Sequence, residues 1–502
     1  MNGKLDKVLK ATSTKENIKQ IYLEYEYLKT DTLYDPPKIR IQMGTDGVDY
    51  LSFRNNLDQH CENIAKRIVE GRYFFKPFRE IHIQKIGGTE GDYRIISIAS
   101  ISDMLVQKLI HKCIYPAVED RFKDLPNVSF AYREGKSAPM AAKYLYKYIR
   151  EGYTYVFDAD IQKFFDTIPH NLLNQKVAGF LDGKDTLIYT YLKRFISVDR
   201  VEQDSYIKFK EKENIFKRKK PRTTKEPYIT KRIEGIPQGG VFSGIIANIY
   251  MHEFDQWVIE DLGTRYQIKY IRYADDFLIL YKNQKDAEDI KVQVDNKIRQ
   301  LGLRINWDKT KVKTDLTKKD NYVEYVGFSI SQNGIRIKDD NIKKFKSGVL
   351  NILHRTNIYK SEEYSLKFLI TRLTFKILGN EALGLRRCTK CGLYESRRNW
   401  LSYFSIITDV QQIRALDTWI RREIYKWYYK LTGKRLKAAT LKSLGLLRLE
   451  DVYRRTKKEE KLIKAKTRKM QGGMETFTCH CKPLDANKSR EHLIHELLLH
   501  NY

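Results

Sequence analysis

The stretch Tyr270-Ile-Arg-Tyr-Ala-Asp-Asp-Phe-Leu-Ile-Leu-Tyr281 sets two adjacent aspartates, Asp275 and Asp276, between two apolar, aromatic-rich runs. Such flanks read as β-strands, so Tyr273-Ala274-Asp275-Asp276 is expected to form the tight turn of a hairpin, lifting both carboxylates out of the core. Neighbouring carboxylates repel each other, and burying them uncompensated is costly. A chain that keeps them there needs a strong cation beside them. Upstream, the strand-like Tyr155-Val-Phe-Asp-Ala-Asp-Ile161 ends in Asp158 and Asp160, which share a face because strand side chains alternate. Three carboxylates meeting at one point would be unstable alone. Two Mg2+ ions about 3.5–4 Å apart would turn them into a site for in-line phosphoryl transfer.

The charge balance points to a polyanion. Ninety-three lysines and arginines stand against 63 acidic residues, a formal net charge of +30 over 502 residues. That excess repels itself in a compact fold unless a partner such as nucleic acid neutralises it. The cations are interleaved with 34 tyrosines, 22 phenylalanines and 5 tryptophans, whose faces suit base stacking. Six cysteines in so long a chain do not make a disulfide framework. No charged-then-apolar leader opens the sequence and no run of about 18 apolar residues interrupts it, so a cytoplasmic protein without a membrane span is expected.

Along the chain, residues 1–45 are polar and read as an extension outside the core, helical from Lys15 to Lys29 and broken at Pro36-Pro37. A mixed α+β region follows over 46–335: a helix near 52–70, a strand through Arg79–Lys85 with a turn at Gly87-Gly88, a helix over 136–151, and a buried helix within 239–258. Inside it, residues 200–233 are strongly charged, contain Phe216-Lys-Arg-Lys-Lys-Pro-Arg222, and read as an exposed basic insertion. Beyond 335 the pattern is helical, with 336–450 as one domain and 451–502 as a basic tail. In the segment 413–427, Ile413, Leu416, Ile420, Ile424 and Trp427 mark a packed face, with Arg414, Arg421, Arg422 and Lys426 around the rest of the helix.

Several segments occur in an order that resembles a known family. Phe157–Ile168, Gly235–Asp255, Tyr270–Leu280, Leu301–Val312 and Val323–Ile330 resemble successive palm motifs of reverse transcriptases of the bacterial group II intron-like branch. The resemblance covers roughly residues 45–450. It implies a right-hand polymerase fold, with fingers and a palm built on a small antiparallel sheet, followed by an all-helical thumb-like and C-terminal region. It implies RNA-directed DNA polymerase chemistry with two Mg2+ ions, deoxynucleoside triphosphates, an RNA template and a DNA product.

Carried over residue by residue, the resemblance makes Asp160, Asp275 and Asp276 the catalytic, metal-binding triad, with Asp158 outside it. It places Lys85 and Arg94 on the incoming triphosphate and Phe165 against the sugar 2′ position. Gln238, in the Pro237–Gly240 turn, would bear on the nascent base pair. Lys309 would serve the departing pyrophosphate, and Val326, Gly327 and Phe328 would grip the primer end. The alternative for Phe165 is core packing, and for Lys85 and Arg94 an ordinary surface pair.

Two features suggest how this member differs from mobile-intron proteins. Intron-encoded relatives usually read Arg-Pro-Leu-Gly-Ile-Pro where Arg94 is followed here by Ile-Ile-Ser-Ile-Ala-Ser, and no endonuclease module is recognised after the thumb-like helices. Both suit a domesticated, defence-associated reverse transcriptase working with a dedicated structured noncoding RNA. An intron maturase is the main alternative and a non-catalytic RNA chaperone another. Lys217, Arg218, Lys219, Lys220 and Arg222 of the insertion, with Arg421, Arg422 and Lys426, are the expected RNA contacts. Cys388, Cys391, Cys479 and Cys481 could ligate zinc, but their loose spacing favours reduced, unliganded thiols. The sequence leaves homo-oligomerisation open.

Overall fold

The computed structural model describes residues 3–31, 38–39, 43–85, 91–181, 183–204, 229–357, 361–379 and 400–458. The insertion cations Lys217 to Lys220 and Arg222, the glycines Gly87 and Gly88, the four cysteines considered for zinc and nearly all of the 451–502 tail lie outside the described residues. The chain divides into two compact units: Met1–Arg133 with Phe157–Lys313, and Glu134–Val156 with Thr314–Tyr502.

In the first unit the helices Lys4–Thr12 and Lys15–Lys29 pack on Leu57–Val69 and Ile101–Phe122. This differs from the expected N-terminal extension, because Leu9, Ile18, Ile21 and Tyr22 are buried as core residues. Ile18, Ile21 and Tyr22 fall at helical spacing, and one apolar stripe suffices to seat a helix whose other faces are charged. The long helix Ile101–Phe122 starts at Ser100, whose side chain caps the Asp103 amide.

Two sheets frame this unit. Phe78–Gln84 pairs antiparallel with Tyr93–Ile98, running from Arg79 opposite Ile98 to Gln84 opposite Tyr93. The short strands Arg200–Val201 and Ile229–Thr230 extend the other edge, pairing Arg200 with Thr230 and Val201 with Ile229. The basic insertion therefore leaves and re-enters the fold at one sheet edge. The second sheet has the strand order Lys311–Asp315, Tyr155–Ala159, Asp276–Tyr281, Ile268–Tyr273. Phe277 to Tyr281 are buried without a break, the pattern of a strand covered on both faces. The helix Ser243–Trp257 is buried over most of its length, as its nearly continuous apolar sequence requires.

The second unit holds the helix Ala138–Arg150, a three-stranded antiparallel sheet of Val323–Tyr325, Phe328–Ser331 and Gly334–Ile337, and the helices Asp339–His354, Glu362–Leu378 and Gln411–Thr432. After Ile337 the described residues contain helices and no strand. In Gln411–Thr432 the buried stripe is Ile413, Leu416, Ile420, Ile424 and Tyr428. Trp427, expected on that face, is half-buried at its margin, where its indole N–H donates to the Thr356 carbonyl at 3.0 Å.

Candidate active site

The hairpin forms as its sequence suggests: Tyr273 pairs with Asp276, leaving Ala274 and Asp275 as a two-residue turn. Two-residue hairpins favour turns that need a positive φ at the first position, usually supplied by glycine. Ala274 supplies it here with φ of +61°. Asp275 thus follows directly on a backbone conformation that an L-residue seldom adopts. Burial, with the charge of Asp160 adding to it, pushes the Asp275 carboxyl above the usual aspartate range, while its own backbone amide, Arg94 and Arg272 pull the other way. Asp276 opens the return strand and is half-buried.

Asp160 lies just beyond the strand Tyr155–Ala159 and is fixed by a loop 146 residues downstream. The Asn306 side-chain amide donates to Asp160 Oδ2 at 3.1 Å, and the Asn306 backbone N–H donates to the Asp160 carbonyl at 2.8 Å. Asn306 escaped the sequence reading. Its only signal was its place in Asn306-Trp-Asp-Lys309, where the lysine drew the attention. Among the described residues no three His, Cys, Asp or Glu side chains form a group that could hold a metal ion by themselves.

Of the expected basic residues, Lys85 pairs with a carboxylate. Lys85 Nζ sits 2.5 Å from Asp92 Oδ1 across the Phe78–Gln84/Tyr93–Ile98 hairpin. That hydrogen bond first, and then the charges of Lys85 and Lys309, hold the Asp92 carboxyl below its usual range. Lys85 and Lys309, far apart in sequence, thus serve the same small region. Arg94, opposite Ile83 in the register, is exposed and its charge reaches Asp275.

Phe165 is half-buried and meets the buried Phe164 edge-on, with ring centroids 5.3 Å apart. Its carbonyl accepts from the Ile236 N–H at 2.7 Å, and the Gly235 N–H donates to the Ile168 carbonyl at 2.8 Å. Gly235, at φ +72°, packs so closely that a Cβ there would lie 2.6 Å from the Asp166 carbonyl oxygen. The segment before Pro237 is therefore a brace for the Phe165 turn. Gln238 is tied to the other sheet, its carbonyl accepting from the Ser97 N–H at 2.8 Å.

Tyr132 is a second residue missed in the sequence. Its φ is +57°, its surface is 53% exposed, and its ring lies where a side chain at Gly244 would collide with it. Desolvation, with Asp275 and Tyr273 adding to it, raises its hydroxyl above the ordinary tyrosine value, and Arg94 opposes them.

The remaining expected residues belong to the second unit. Val326, at φ +42°, and Gly327, at φ +87°, form the two-residue turn between paired Tyr325 and Phe328. A β-branched residue in that region is a strained outlier. Tyr403 stabilises it by donating its hydroxyl to the Val326 carbonyl at 2.7 Å and stacking on Phe328. Asn341 donates to the Gly327 carbonyl at 3.0 Å. Arg421, Arg422 and Lys426 are exposed on the Gln411–Thr432 helix, the latter two pairing with Glu423 at 3.3 and 3.2 Å.

Comparison with known proteins places these features in a family. Residues 83–330 match the family model described as reverse transcriptase (RNA-dependent DNA polymerase). The protein YkfC of Escherichia coli is 25% identical over 303 residues, covering 54% of this chain and 71% of YkfC. The group II intron-encoded protein LtrA of Lactococcus lactis subsp. cremoris is 21% identical over 390 residues, covering 63% of this chain and 58% of LtrA. The chain therefore spans well under the full length of that relative. A telomerase from Candida albicans, solved with a fragment of telomeric RNA, aligns at 13% identity over 81% of this chain and 64% of its own, with a TM-score of 0.41, too remote to argue from. With the ordered palm motifs, the hairpin that carries Asp275 and this family match together, residues 83–330 form a reverse transcriptase (RNA-dependent DNA polymerase) domain, similar to that of group II intron-encoded proteins.

Proposed function

We infer that this chain copies an RNA template into DNA with Asp160, Asp275 and Asp276 as its metal-binding triad. The observation that carries the reading is the sheet order: the strand Tyr155–Ala159, which Asp160 follows, lies beside the strand that Asp276 opens after the Asp275 turn. Two Mg2+ ions bound there would activate the primer hydroxyl and neutralise charge on the departing pyrophosphate. Arg94 and Lys85 would orient the triphosphate, Arg94 with a planar fork suited to phosphate oxygens. Phe165 would exclude a ribose 2′-hydroxyl, and Lys309 would offset charge on the leaving group. Val326, Gly327 and Phe328 would hold the primer end. Metal-dependent extension of a primer on an artificial RNA template tests the reading, and no extension at any Mg2+ or Mn2+ concentration would overturn it.

The Lys85–Asp92 pair has a kinetic consequence under this reading, because a triphosphate must displace Asp92 from the lysine that receives it. Asp92→Asn should lower the KM for deoxynucleotides about two- to fivefold, the range of an exposed ion pair, with kcat little changed. An unchanged KM in steady-state kinetics would show that the pair does not compete with substrate.

The partner we propose is a dedicated structured RNA, in the setting of antiviral defence, with intron splicing as the alternative. The net charge of +30 supports a polyanionic partner larger than a short template-primer duplex. Replacing Lys217, Arg218, Lys219 and Lys220 with glutamine should weaken RNA binding and reduce its salt slope by about three units, from four neutralised phosphate contacts. Sequencing the RNA that copurifies from the native host decides between partners. One enriched structured species supports the dedicated RNA, intron sequence supports the maturase, and a random mixture refutes both.

A further inference from the structure

The hairpin turn rests on a buried cation. Arg272 has no exposed surface and is the largest fully buried side chain among the described residues. Its Nε donates to Asp255 Oδ1 at 2.7 Å and its Nη2 to Asp255 Oδ2 at 2.5 Å. Nη1 donates to Asn248 Oδ1 at 3.0 Å and to the carbonyl of Ala274 at 2.9 Å. Asp255 also accepts the Tyr270 hydroxyl at 2.8 Å, and Asn248 Oδ1 the Ser129 hydroxyl at 3.1 Å. Asn248 and Asp255 lie seven residues, two turns, apart on the Ser243–Trp257 helix and so share a face.

Two of the groups this network holds are backbone carbonyls beside strained residues. One is that of Ala274, at φ +61°. The other is that of Ala131, which accepts from Asn248 Nδ2 at 2.8 Å and precedes Tyr132, at φ +57°. Left-handed non-glycine residues persist where the surroundings over-determine them, and they gather at functional sites. A guanidinium that served only to fill the core could be exchanged, with its partner, for apolar side chains at little cost. This one spends a donor on the carbonyl of the peptide that joins Ala274 to Asp275.

We propose that the Asp255–Arg272–Asn248 network is a positioning device for the metal site, with Arg272 fixing the Ala274–Asp275 peptide and so the direction in which the Asp275 carboxylate leaves the turn. Arg272 acts through the turn, by its bonds to Asp255, Asn248 and the Ala274 carbonyl. Lysine cannot replace it, because a single ammonium lacks the rigid fork that grips Asp255 and the Ala274 carbonyl together. The inference rests on the metal-site reading above and extends it to a residue outside that site.

The test uses direct Mn2+ binding to the full-length protein, followed by electron paramagnetic resonance, beside Mg2+ titration of primer extension and thermal melting. Arg272→Lys is expected to weaken Mn2+ binding and raise the Mg2+ half-saturation about tenfold, measured at a temperature where the variant is fully folded. Wild-type metal affinity in a folded but less stable Arg272→Lys protein would reduce Arg272 to a structural stitch and overturn the proposal. If that variant does not fold, Ala274→Gly decides. Glycine accepts the φ without strain and keeps the fold, but frees the turn, so metal affinity should fall severalfold, and unchanged affinity would refute the device. Asp275→Asn separates the two readings. Unaltered Mn2+ binding there would sink the metal-site assignment itself, whereas lost binding there with normal binding in Arg272→Lys would sink only the positioning role.

Discussion

Asp275→Ala is expected to abolish DNA synthesis on an RNA template, with a loss of at least about a thousandfold, while the protein still folds and binds RNA. Removing a carboxylate from a two-metal site takes away stabilisation of the attacking and leaving oxygens together, and each 1.36 kcal/mol lost from the barrier is a factor of about ten. Stability should not suffer. Asp275 is desolvated and repelled by Asp160, which is why its carboxyl is raised, so alanine removes an unfavourable charge while Ala274 and the strand pairing from Tyr273 to Asp276 remain. The measurement is single-turnover primer extension beside a thermal melt. Extension near the wild-type rate would remove Asp275 from the site, and a collapsed melt would make the activity loss uninformative. Asp276→Ala, measured in parallel, asks whether the second aspartate shares the role, since it starts the return strand rather than occupying the turn.

Phe165→Ala is expected to raise ribonucleotide incorporation relative to deoxynucleotide incorporation about a hundredfold, equivalent to roughly 3 kcal/mol of lost discrimination. The geometry behind this is the contrast between two adjacent rings. Phe164 is buried and fills the core, whereas Phe165 is only half-buried and meets it edge-on. The Phe165 backbone is held by Ile236, and Gly235 packs against the next carbonyl too tightly for any side chain. A ring set on so rigid a turn can reject an extra hydroxyl by clash, and alanine cannot. Competition between ribo- and deoxynucleotides on one template reads the ratio directly. Unchanged selectivity with lowered stability would return Phe165 to core packing, and Phe164→Ala should show that second pattern.

The local patterns were legible in the chain itself. Alternating and continuous apolar runs marked the strands around Asp275, and their separation fixed a two-residue turn. Helical spacing marked Lys15–Lys29 and the stripe from Ile413 to Ile424, where the structure has them. These succeed because turn chemistry and side-chain periodicity act over a few residues. The same Ile18, Ile21 and Tyr22 spacing could have shown that the N-terminal helices join the core, but the surrounding charge masked it. What tertiary structure alone decided are the long-range partners. Asn306 reaches back to Asp160, the Lys309 charge reaches Asp92, and Gly235 braces Phe165. Arg272 looked like one more cation in a strongly basic chain, yet it is fully buried beneath the turn. A guanidinium has the same local propensity on a surface as in a core, and only the Asp255 carboxylate and the Asn248 and Ala274 oxygens, brought to it by a helix and a hairpin, compensate its desolvation.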